Sequence, residues 1–213
     1  MTVWDDPLGF DPLRDGPPYL GVTRPKVATM KYTREKVAAE VDSQVLASLR
    51  AWMQGCLAVC GDGPQVELSL LLKAIQGEVA ILHTAHWQVG GSSQYGDHLL
   101  FQRLYEDADE FVDPLAEKAV GLGGTELVNP VVQTQCVAAF VQALCPEGQL
   151  QDNEQAFAVA QNTVLSVLYV IDWALQSLDA RGQLSNGVDN MLQGIADKHE
   201  EFGYLLQQRL AAL

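Results

Sequence analysis

Positive charge is what this sequence has least of. Lys and Arg total 13 against 27 Asp and Glu, a formal net charge of −14, with a pI near 4.5. A surface that negative repels phosphate backbones, so DNA binding by the body of the protein is not expected. Lys26, Lys31, Arg34 and Lys36 form a modest basic cluster, read as a solvated face, and no basic DNA-binding tail is visible. The same negative surface concentrates cations. Long apolar runs are missing too. The best, VLSVLYVIDWAL (164–175), is interrupted by Ser166 and Asp172, and none approaches the roughly 18 residues of a membrane span. The opening MTVWDDPLGFDPLRDGPP lacks the basic and apolar regions of a signal peptide, so none is expected. Cysteine is sparse: Cys56, Cys60, Cys136 and Cys145 match neither a zinc knuckle nor C-x-x-C. They read as buried reduced thiols, and a cytoplasmic location is expected.

Strand signals are nearly absent, with no N-G or D-G turn between alternating apolar residues. No E-x-x-H occurs, so a di-iron site inside one bundle lacks its signature. H-E-x-x-H, the P-loop and G-x-S-x-G are absent as well. GLGG (121–124) follows a helix and not a strand, so it reads as a helix end and not a dinucleotide loop.

What is present is helical periodicity. At 213 residues, 48% hydrophobic and 19% charged, the chain suits a compact fold with one sizeable core. Residues 1–30 hold five prolines and no periodicity, and read as an extended arm. An extra N-terminal helix is expected within 31–62, running from Thr33 as N-cap to about Cys60 with Val37, Val41, Val45, Leu49, Trp52, Met53 and Cys56 as its stripe. Residues 63–213 are expected to form a four-helix bundle, with long helices near 65–89, 93–120, 152–180 and 186–212. A shorter helix at 130–145 fills the middle crossover. The fold class is all-α.

Chemistry concentrates in HTAHWQVGGSSQYGDHLLF (83–101) and DPLAE (113–117). Neutral imidazoles and carboxylates suit iron, zinc or manganese, and the candidate ligands are His83, His86, His98, Asp113 and Glu117. Asp113 and Glu117, four apart, share a helix face. His98 precedes Asp113 by 15 residues, about 22 Å along a straight helix, whereas ligands of one ion lie only about 3–4 Å apart. One chain cannot bring them together; two antiparallel copies of that helix can. If these residues form one site, it therefore crosses a two-fold interface. Each residue also has a plain structural reading. Asp113 and Pro114 suit the N-cap and first turn of a restarting helix, His86 suits a satisfied core imidazole, and Trp87 suits a core aromatic.

Taken together, these elements form a pattern. HWQVGG from His86 to Gly91, His98 twelve residues after His86, DPLAE fifteen further on, and Leu122-Gly123-Gly124 resemble the Dps family, the mini-ferritins, over about residues 66–212. The resemblance implies a ferritin-like bundle and a homo-oligomeric, dodecameric shell. It implies Fe(II) oxidation, usually by hydrogen peroxide, at sites between two-fold-related subunits, with Fe(III) stored inside as protection against oxidative stress. His86 and His98 would come from one subunit, Asp113 and Glu117 from its partner, with Trp87 beside the site as an electron donor. Gln102 departs from the pattern, standing where the family usually has Asp. A neutral amide is a weaker ligand, with Glu106 one turn on able to compensate through a water and His83 able to lend a nitrogen. That departure, together with the long leader before residue 61, leaves open a shell or scaffold protein with weakened turnover.

Overall fold

The structure is a computed structural model that describes residues 34–146, 148, 150 and 152–213. The expected arm at 1–30, Thr33, Lys26 and Lys31 lie outside the described residues. The described residues belong to one compact unit. They form eight α-helices, α1 (Arg34–Glu40), α2 (Ser43–Cys60), α3 (Val66–Gln88), α4 (Gln94–Asp109), α5 (Val112–Gly123), α6 (Pro130–Leu144), α7 (Asn153–Ala180) and α8 (Asn186–Leu210), with a 3₁₀ turn at Thr125–Val128 and no strand. The all-α expectation holds.

Two expected helices are each split in two, for different reasons. The stretch read as one helix up to Cys60 breaks at Asp42, whose carboxylate accepts hydrogen bonds from the Gln44 and Val45 amides at 2.8 and 3.2 Å and starts α2 afresh. The expected 93–120 helix breaks between Asp109 and Val112. Pro114, which has no N–H to give, fits the first turn of a new helix better than the middle of an old one. Asp113 lies in that first turn, but the N-cap position belongs to Phe111, so the capping role read for Asp113 is not what the fold uses. The connecting helix α6 opens on Asn129, which caps the Val131 and Val132 amides, with Pro130 at its first position.

α3 and α7 form the spine. α3 is buried around most of its circumference, including Leu68, Leu70, Leu71, Leu72, Ile75 and Leu82, because α4, α5, α6 and α7 all pack on it. Each such side chain contributes about 1.5–3 kcal/mol by leaving water. Both helices are long and apolar enough to cross a membrane, though 72% and 61% of those stretches are buried here against other helices. The sequence shows no uninterrupted run because polar residues are spaced through both, and several pair inside the bundle. Glu67 accepts from Ser177 and Arg181 at 2.6 and 2.8 Å, and Glu78 pairs with His199 at 2.8 Å. α6 approaches α3 at Gly77, where a Cβ would strike the Phe140 ring. α2 joins the same core through Leu49, Trp52, Met53 and Cys56. Its position is fixed by the Trp52 indole, which donates to the Cys136 carbonyl at 2.8 Å.

Candidate metal centre

α3 carries His86 in its last turn, and α4 carries His98 in its second. The loop between them is clamped on both sides. Asn153, at the start of α7, accepts from the Gly90 amide at 3.0 Å and donates to the Gly90 carbonyl at 2.8 Å. Asp97 takes Arg209 of α8 at 2.7 Å and the Ser93 hydroxyl at 2.7 Å. Burial opposes ionisation of Asp97, but bonds from Arg209 and Ser93 outweigh it and hold the carboxyl below its usual range. Asp97 thus stays charged, and the start of α4 is tied to the rest of the bundle.

With the loop fixed, the two imidazoles meet face to face, ring centroids 3.6 Å apart. Each donates its Nδ1 proton to the other residue's backbone carbonyl, His86 to His98 at 2.9 Å and His98 to His86 at 2.9 Å. A carbonyl can only accept, so both Nδ1 atoms carry the proton. In the neutral ring each Nε2 then keeps a lone pair, the state a metal ligand requires. His86 is buried, at 8% exposed, and His98 is half-buried, and neither Nε2 makes a hydrogen bond among the described residues. The reading of His86 as a fully satisfied core imidazole therefore accounts for one nitrogen only.

The other expected residues fall into two groups. Trp87 is 66% exposed and is not a core aromatic. It packs on His83 at 4.2 Å, and His83 also stacks on Tyr105 at 4.1 Å and meets the His86 ring at 6.0 Å, so His83 is held by ring packing. Tyr105, which also meets His86 edge-on at 5.4 Å, was not singled out from the sequence; its place seven residues after His98 was the available signal. Gln102 donates Nε2 to Glu106 at 2.8 Å, so the two side chains are paired with each other. Asp113 and Glu117 stand exposed on α5, and neither makes a hydrogen bond or ion pair among the described residues.

The about 22 Å argued from spacing assumed one straight helix, and the chain breaks between His98 and Asp113. Asp113 remains one helix further on from His98, and no group of three or more His, Cys, Asp or Glu able to hold a metal forms among the described residues of the single chain. Two imidazole nitrogens and two carboxylates without partners among the described residues are donor types that suit a metal, and they stand on different helices.

No family model matches the chain. A stretch of 48 residues, 22% of this chain and 32% of the relative, is 37% identical to a curated protein named DNA protection during starvation protein from Brevibacillus brevis. The match therefore spans about a third of that relative's length. Among solved structures, Dps from Thermosynechococcus elongatus superposes with a TM-score of 0.54 at 17% identity, over 67% of this chain and 89% of that one. The chain is Dps-like in a short stretch of sequence and in its ferritin-like all-α fold.

Proposed function

We propose that this chain is a subunit of a Dps-like homo-oligomeric shell that takes up Fe(II), oxidises it with hydrogen peroxide at sites shared by two subunits, and stores the Fe(III) inside. The observation that carries the reading is the mutual Nδ1 bonding of His86 and His98, which leaves two Nε2 lone pairs without a third ligand among the described residues. Asp113 and Glu117 of a two-fold-related copy supply the missing oxygens. An antiparallel pairing that sets His98 against Asp113 of the other copy makes two equivalent sites per dimer.

Iron is the substrate here. Each peroxide accepts two electrons, so two Fe(II) give two Fe(III), and two protons from solvent complete two waters. The chain's part is to hold Fe(II) between imidazole and carboxylate and to keep water-exposed Trp87 close by as an electron donor. Zinc or manganese would fit the same donor set. The net charge of −14 favours Fe(II) entry and disfavours DNA as a partner. A cytoplasmic setting suits the four unpaired thiols.

A second reading, a shell or scaffold protein with weakened turnover, is favoured by the Gln102–Glu106 pair. It leaves the position one turn after His98 without a free carboxylate. Adding Fe(II) and peroxide to the metal-free protein separates the two. The first reading expects near-ultraviolet ferric absorbance that slows by about tenfold or more in the Asp113→Ala, Glu117→Ala double variant. Equal rates in the parent and the double variant favour the scaffold.

A further inference from the structure

Three helix ends meet at the opposite end of α3 from the histidine pair. α2 ends at Cys60, α3 begins at Val66 and α7 ends at Ala180. Glu67, in the first turn of α3, lies about 28 Å along that helix from His86. These ends enclose a cleft of about 420 Å³, a size that suits a small organic ligand. The chain beside it is braced. The Gln65 amide donates to Gln183 Oε1 at 3.3 Å, and Gln65 Nε2 donates to the Gln183 carbonyl at 3.0 Å.

Glu67 is a wall residue of the cleft and is fully buried. Its Oε1 accepts from the Ser177 hydroxyl at 2.6 Å and from Arg181 Nη1 at 2.8 Å. Its Oε2 is buried with no hydrogen-bond partner among the described residues. A buried carboxylate oxygen without a donor is costly, so the missing N–H or O–H points to a ligand. Arg181 is already committed elsewhere: Nη2 donates to the Asp62 and Gly63 carbonyls at 3.2 and 2.9 Å.

Charge in the cleft favours a cation. Glu67 and Asp62 bring two carboxylates against the single guanidinium of Arg181. Asp62 is exposed, and its carboxylate makes no hydrogen bond or ion pair among the described residues. Two helices present their negative C-terminal ends here and one its positive N-terminal end. An anion would meet a guanidinium whose two Nη groups are both spent on protein oxygens. A bare metal ion would find two acidic residues and no third, since no group of three His, Cys, Asp or Glu forms among the described residues. The remaining wall is apolar: half-buried Trp173 with Leu57 and Val66. An indole face attracts an ammonium group, and the aliphatic side chains suit a hydrocarbon stem.

We propose that this cleft binds a small alkylammonium ion, with its N–H groups on the Glu67 and Asp62 carboxylates and its hydrocarbon body against Trp173, Leu57 and Val66. Glu67 supplies the fixed acceptor, because Ser177 and Arg181 hold it from the other side. Asp62 supplies the second charge at the mouth. Trp173 selects for a cation over a neutral molecule of the same shape. The site shares no residue with the histidine pair or with Asp113 and Glu117.

The test uses metal-free full-length protein, so it stands or falls apart from the iron reading. Butylammonium is titrated by calorimetry in physiological salt, with butan-1-ol as its uncharged counterpart. Saturable binding of one butylammonium per chain with a Kd below about 10 mM is expected, and butan-1-ol should bind at least about tenfold more weakly. Glu67→Gln should weaken butylammonium by about tenfold or more, Trp173→Ala by about fivefold and Asp62→Asn by about threefold. Asp109→Asn, which removes one negative charge outside the cleft, should leave the affinity unchanged. Should Glu67→Gln fail to fold, Asp62→Asn and Trp173→Ala carry the test. No saturation by about 10 mM overturns the proposal. Equal affinity for butan-1-ol overturns it as well, as does Mg(II) binding that Asp62→Asn removes while butylammonium leaves it untouched.

Discussion

His86 and His98 hold each other through backbone carbonyls, so truncating one side chain removes one proposed metal nitrogen and a stacking face without removing the other's hydrogen-bond acceptor. His86→Ala should therefore keep the fold and weaken binding of redox-inert Zn(II) by about tenfold or more, measured by calorimetry. Gln102→Ala should leave Zn(II) affinity unchanged, because its amide is spent on Glu106. Gln102→Asp should raise the number of ions bound per chain, and an unchanged count would show that this position faces elsewhere. The His–Trp–Gly run and the carboxylate spacing were legible as residues. Their partners were not, because the Nδ1 bonds, the Tyr105 packing and the Asn153 and Arg209 clamps join positions far apart in sequence.

At the scale of elements, periodicity located the long helices well and their interruptions poorly. Asp42 and Pro114 were both visible, yet a continuous apolar stripe outvoted them. Long-range polar pairs in the core escaped for the same reason: Glu78 on α3 and His199 on α8 lie 121 residues apart. Burial alone lowers the His199 pKa; the Glu78 charge and hydrogen bond and the Ile195 carbonyl together hold it above its usual value. Such a raised value adds stability that is fully present below the unfolded-state pKa of about 6.5 and is lost as pH rises through the folded value. Urea unfolding should accordingly show a midpoint that falls as pH rises above about 6.5, and His199→Gln should flatten that slope. Gly77→Ala should cost about 1–3 kcal/mol, because α6 must retreat from α3 or Phe140 must leave its rotamer. A melting temperature equal to the parent's would contradict the close approach.

The proposed shell is a matter of many copies, and in that proposal the single chain carries only halves of each site. The case for assembly is that His86 and His98 sit on α3 and α4, Asp113 and Glu117 sit on α5, and no group of three or more residues able to hold a metal forms among the described residues. Spacing suggested as much on the premise of one straight helix, and the break between Asp109 and Val112 removes that premise without joining the two sets. Complementation tests it most directly. A His86→Ala, His98→Ala subunit and an Asp113→Ala, Glu117→Ala subunit are each made alone, then mixed by refolding or made together, and Fe(II) oxidation is followed. A heterodimer brings together two damaged halves at one site and two intact halves at the other. Random pairing should therefore return about a quarter of the parent's sites, where either variant alone has none. Recovery of that order is the expected result; mixtures as inactive as their components, with dimers shown to have formed, would contradict a centre shared between chains.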